Sequence, residues 1–203
     1  MTISVGDKLP DVKMVKATEN GPEQVSSADY FKGKKVALFS VPGAFTPTCS
    51  AKHLPGYVDK AGDLKSKGVD EIVATAVNDA FVMGAWKSAA GSDDITMLAD
   101  GNGDFAEAVG LTMDGSGFGL GKRGQRYSMV VEDGVVVVVE LGRRTGHLAD
   151  AVRVAVGELH RVGVARRDDD AAEVREGRVE RLQRRLLPAV AGLGGRERGV
   201  DLV

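Results

Sequence analysis

With 203 residues, 43% of them hydrophobic, and a formal charge of −2, the chain can bury a full single-domain core and lacks the broad basic face that phosphate-backbone binding needs. A nucleic-acid partner is not expected. The N-terminus has no basic run followed by an apolar stretch, and no segment is long and apolar enough for a membrane span, so the expectation is a cytoplasmic protein without a membrane partner.

In chain order, "KKVALFSVPG" (34–43) is a short apolar run ended by Pro42 and Gly43, the pattern of a buried strand, and a helix begins within "TPTCSAKHLPGYVDKAGDLKSKG". "EIVATAVND" (71–79) repeats the buried-strand pattern and helical "AFVMGAWKSAAG" follows it; "ITMLAD" is a further short strand and "GDFAEAVGL" a short helix. Strands separated by helices argue for parallel pairing in an α/β layer fold. "RYSMVVEDGVVVVVE" places two β-branched runs around Asp133-Gly134, the dipeptide of a type I′ hairpin, and sets Arg126 at the mouth of a strand.

The composition changes near residue 140. Residues 1–140 hold 12 lysines and two arginines, whereas residues 141–203 hold 13 arginines and no lysine; net charge moves from −5 (14 basic, 19 acidic) to +3 (13 basic, 10 acidic). The division expected is a principal domain over 1–140 and an atypical Arg-rich tail over 141–203, partly helical or disordered. "LADAVRVAVGELHRV" (148–162) has the spacing of an amphipathic helix that could cover the sheet, and the glycine-rich end from Pro188 suits a frayed segment.

Cys49 is the single cysteine of the chain. It excludes an internal disulfide and makes any thiol chemistry depend on a second molecule. In "VPGAFTPTCS" (41–50) a strand ends near Pro42 and a helix starts near Thr46 to Thr48, which places Cys49 in the first helical turn, where free N–H groups and the macrodipole favour an anion. A free cysteine has a pKa of about 8.5, brought to roughly 3.5–7.5 at helix N-termini beside a cation. A guanidinium at about 4 Å contributes on the order of 4 kcal/mol at an effective dielectric near 20. The Thr46 hydroxyl, one turn before the sulfur, can donate and accept there, and Pro42 has no N–H and a rigid ring that walls off solvent. Against this stands the commoner fate of a lone cysteine, a small buried hydrophobe.

The spacing Pro42-x3-Thr46-x2-Cys49 resembles the peroxiredoxin signature, and "VPGAFTPTCSAKHLPGY" with "DGSGFGLGKRGQRYSMVVEDG" is similar to the peroxiredoxin-5 branch, over about Thr2 to Val136. The resemblance implies a thioredoxin-like fold, a mixed central sheet flanked by helices. It implies a thiol-dependent peroxidase acting on hydrogen peroxide and alkyl hydroperoxides, and a homodimer. By position, Cys49 matches the peroxidatic nucleophile that becomes a sulfenic acid, Thr46 the peroxide-binding threonine, Pro42 the shielding proline, and Arg126 the arginine that stabilises the thiolate and polarises the peroxide. No second, resolving cysteine is present, so the resemblance implies an external thiol donor, glutathione with glutaredoxin or a thioredoxin. A non-enzymatic redox sensor, or a relative inactivated by its altered tail, stays open as an alternative. Two origins of the tail also stay open, a frameshift or a lineage-specific extension.

Other residues carry less. His53 follows Cys49 by four and shares its helix face, but a thiolate needs no base, so a structural role is expected. "GSGFGLG" (115–121) has no strand leading into it and no Lys-Ser/Thr after it in phosphate-loop spacing, and is expected to be a flexible loop beside the pocket. Phe81 and Trp86 are expected as core or interface aromatics. His53, His147 and His160 are the only histidines and no Cys/His/carboxylate group has ligand spacing, so neither a metal nor another cofactor is expected.

Overall fold

The computed structural model describes residues 1–142 together with 156–157; the expectations for the tail otherwise lie outside the described residues. The apolar runs build the centre of a seven-stranded sheet. Strands β3 (Lys35–Ser40), β4 (Glu71–Ala76) and β5 (Ile95–Ala99) pair in parallel, with Ala37 opposite Ile72 and Ala74 opposite Met97. Their unbroken hydrophobicity reflects cover on both faces, which parallel strands require.

The rest of the sheet is antiparallel. β8 (Tyr127–Glu132) lies beside β3 with Tyr127 opposite Ser40, and β9 (Val135–Leu141) forms the edge. Between them Asp133 and Gly134 have φ of 51° and 76°, the two positive values of the expected type I′ turn. On the other side β1 (Lys13–Thr18) pairs with β5, and β2 (Gly21–Ser26) closes that edge, for an order β2-β1-β5-β4-β3-β8-β9. The architecture is the expected mixed sheet. A separate two-stranded ribbon, β6 (Thr112–Asp114) with β7 (Lys122–Gly124), corrects one expectation: a strand does lead into "GSGFGLG", too short at three residues to leave an alternating pattern.

Helices pack on both faces. α1 (Ser27–Phe31) is capped by the Ser26 hydroxyl; a π-helical turn (Cys49–His53) runs into α2 (Leu54–Asp59), and α3 (Ala61–Ser66) follows. α4 (Ala80–Ala90) starts at Asp79, whose Oδ1 accepts from Val82 N at 2.9 Å, and stops at Gly91 in the left-handed conformation. α5 (Asp104–Ala108) is tied by the Asp100 carboxylate, which accepts from the N–H groups of Phe105 and Ala106, both at 2.9 Å. Sheet side chains alternate between two cores. Phe39, Ala74, Met97 and Val130 face Leu54, Tyr57, Leu64, Met83 and Trp86, while Leu38, Val73, Leu98 and Met129 face Tyr30, Phe31, Phe105 and Leu111.

Val156, beyond the change of composition, is fully buried in the first of these cores. Val156→Ala removes two buried carbons at ~0.8 kcal/mol each and leaves a small cavity, so it is expected to cost about 2 kcal/mol. The midpoint of denaturant unfolding reads this; an unchanged midpoint would place Val156 outside the cooperative core.

Candidate active site

Between β3 and the π-helical turn the chain makes a tight, heavily anchored loop. Val41 N donates to Thr75 O at 3.2 Å and Ala44 N to Asn78 Oδ1 at 3.0 Å, so the end of β4 fixes both sides of Pro42 and Gly43. Phe45 takes a φ of 61°, a left-handed conformation costing a bulky residue about 1–3 kcal/mol unless neighbours hold it. Thr46 O then accepts from Ser50 N at 3.0 Å, which opens the helix, and Pro47 sits where its missing N–H leaves nothing unsatisfied. Cys49 falls in that first turn, as its spacing predicts, and is fully buried.

Arg126 precedes β8, and Gly142 N donates to its carbonyl at 2.8 Å. Its Nη2 donates toward Cys49 Sγ at 3.8 Å, across 77 residues of sequence. This contact brings together the two residues that the sequence reading set at the centre of the site. Thr46 is one turn away, but its hydroxyl donates to Gly43 O at 2.9 Å and so closes the loop in this state. Pro42 lies half-buried at the end of β3.

The walls are specific. Trp86 Nε1 donates to Ser50 Oγ at 3.0 Å, tying α4 to the π-helical turn, while Phe81 on the same helix is 74% exposed. Beneath them Phe39 and Tyr57 stack with ring centroids 4.0 Å apart, and the Tyr57 hydroxyl bonds Ser128 Oγ. Two further residues of the loop's surroundings have no role assigned from the sequence. Asn78 stands at a strand end in sequence, and Arg123 lies just past the glycine-rich stretch, in β7; both act on backbone groups that sequence spacing does not reveal. Among the described residues no group of three or more His, Cys, Asp or Glu side chains could hold a metal ion, and no helix is long and apolar enough to cross a membrane.

His53 is 3% exposed, and among the described residues neither ring nitrogen has a hydrogen-bond partner. Burial, and then the charges of Arg126 and Lys52, lower its pKa from 6.5 to about 4, so the ring is neutral at pH 7. The unfolded chain therefore binds a proton that the folded one refuses between those two values, and the associated stability is lost as pH falls from about 6.5 to about 4. His53→Gln is expected to flatten this part of the stability profile relative to the parent, measured by chemical denaturation at each pH. Parallel profiles would show that His53 titrates normally.

The redoxin family model matches residues 4–155, past the change of composition at 140. The chain is 49% identical over 146 residues to "Peroxiredoxin-2E-2, chloroplastic" of Oryza sativa subsp. japonica, covering 69% of this chain and 65% of that protein, just under two thirds of its length. Reduced Prx3 from Vibrio vulnificus, solved in complex with hydrogen peroxide, is 45% identical with a TM-score of 0.73, over 76% of this chain and 99% of that one. Peroxiredoxin 5 from Alvinella pompejana is 33% identical with a TM-score of 0.68, over 77% and 99%. On a mixed, helix-flanked sheet of thioredoxin-like type, with a buried cysteine facing an arginine, the chain belongs to the redoxin family and, within it, to the peroxiredoxins of the peroxiredoxin-5 kind.

Proposed function

We propose that the protein is a thiol-dependent peroxidase in which Cys49 alone carries the redox chemistry. The observation that carries this reading is the approach of Arg126 Nη2 to the buried Cys49 Sγ at 3.8 Å, in the first turn of a helix. The guanidinium and the turn's N–H groups favour a thiolate, the reactive form of cysteine. That thiolate attacks one oxygen of a hydroperoxide. An S–O bond forms and the O–O bond breaks; sulfur is oxidised to a sulfenic acid, and the departing alkoxide or hydroxide takes a proton to leave as alcohol or water. Donors held in place, Arg126 and the Thr46 hydroxyl once turned from Gly43 O, stabilise the charge that develops on oxygen. Pro42 limits competing water.

A single cysteine leaves the sulfenic acid to outside thiols. One thiol condenses with it, releasing water and forming a mixed disulfide; a second thiol regenerates Cys49. Glutathione with glutaredoxin, or a thioredoxin, would supply them in a reducing compartment such as the cytoplasm. Three large exposed aromatics, Phe45, Phe81 and Phe118 at 54%, 74% and 71%, sit in or beside the loops around the site and suit the proposed homodimer, with a second copy as the occupant of that face.

Steady-state peroxide consumption, run in parallel with glutathione/glutaredoxin and with thioredoxin, tests the reading. Cys49→Ser is expected to abolish turnover with the fold retained, and Arg126→Met to lower the rate on the order of 10²-fold, the usual loss for one fixed donor. Turnover surviving in Cys49→Ser would refute the assignment. Stoichiometric oxidation of the parent, without turnover under either donor, would favour a redox sensor.

A further inference from the structure

Three segments around the site converge on Arg123. Its Nε donates to Leu120 O at 2.7 Å, inside the glycine-rich loop 115–121, and its Nη1 donates to Val77 O at 2.9 Å, at the end of β4. The third segment is the Cys49 loop. A Cβ built on Gly43 would stand 3.5 Å from Arg123 Nη1, 3.3 Å from Thr46 Cγ2 and 3.8 Å from Asn78 Oδ1, so the guanidinium lies against the backbone whose carbonyl receives the Thr46 hydroxyl. Neighbouring Asn78 holds Ala44 N, the next residue of the same loop. Gly115 is equally constrained, since a Cβ there would stand 2.9 Å from Leu120 Cβ and 3.0 Å from Gly121 O.

We propose that Arg123 is a positioning residue for the Cys49 site: its forked guanidinium clamps the glycine-rich loop to the end of β4 and backs the 43–46 turn that sets the Thr46 hydroxyl. The geometry needs a planar fork with separate donors in fixed directions, which arginine has and lysine lacks. Each bond is charge-assisted to a carbonyl, so its loss is felt more than that of a neutral pair. Arg126 meets the sulfur directly; Arg123 acts only through backbone.

The kinetic consequence rests on the peroxidase reading, whereas the clamp itself does not, and two measurements separate them. In Arg123→Met, amide hydrogen exchange at 43–46, 77–79 and 115–121 is expected to accelerate together by roughly tenfold, the scale of one charge-assisted bond. Arg123→Lys, which keeps the charge and can reach one carbonyl, is expected to move the same three segments less and serves if the methionine variant does not fold. Unchanged exchange, or acceleration confined to 115–121, would overturn the clamp whatever the enzyme does. The second measurement is the rate of Cys49 oxidation by hydrogen peroxide in a double-mutant cycle with Thr46→Val. Arg123→Met is expected to slow oxidation about tenfold in the parent and not at all once the hydroxyl is gone. Fully additive losses would mean that Arg123 does not act through Thr46, and a parent protein inert to peroxide would defeat the peroxidase reading while the exchange result still decided the clamp.

Discussion

Everything at this site depends on the antiparallel pairing of β3 with β8. Because the two strands run in opposite directions, the chain leaves β3 at Ser40 and enters β8 at Tyr127 on the same end of the sheet, and these two residues are register partners. The cysteine-bearing loop and Arg126 are thus delivered to one place from 77 residues apart. A slip of one residue would displace the guanidinium by about 3.4 Å and turn each β8 side chain to the other face. That shift is nearly as large as the 3.8 Å contact itself. The pairing of β8 with β3 therefore serves the proposed chemistry as well as the core.

The pocket's charge balance follows from that geometry. Arg126 brings a permanent cation into a half-buried place, and its buried Nε has no partner among the described residues. Its charge faces the buried sulfur of Cys49, which Nη2 approaches at 3.8 Å. His53 sits beside this pair and stays neutral at pH 7, first because burial disfavours its charged form and then because the charges of Arg126 and Lys52 oppose a further cation. A histidine in this position fills apolar space at neutral pH and leaves the guanidinium's field directed at the sulfur.

Much of this was legible in the residues. The apolar runs gave the central strands, Asp133-Gly134 gave the hairpin, and the Pro/Thr-rich turn before Cys49 gave the helix start; each is a local pattern with one dominant physical reading. The N-terminal hairpin β1–β2 was not legible, because "GPEQVS" is an edge strand exposed along much of its length and its polar residues and proline mask it. The β6–β7 ribbon was missed for want of length. Arg123 and Asn78 were hidden for a different reason: their partners are carbonyl and amide groups of loops, and backbone partners leave no mark on side-chain spacing. The Thr46 bond to Gly43 O was likewise invisible, since it depends on the left-handed turn at Phe45.

Beyond the change of composition near residue 140, Val156 still lies in the core. β9 places Val136 in one core and Val138 in the other, so this edge strand exposes an apolar row on each face that other elements must cover. Val156 meets this need in the core that holds Val138. Burial is decided by the size and polarity of a side chain, and Val156 has the apolar bulk that this place in the core needs. The loops that hold Cys49 and Arg126 are carried by the sheet itself, whose register pairs Ser40 at the end of β3 with Tyr127 at the start of β8.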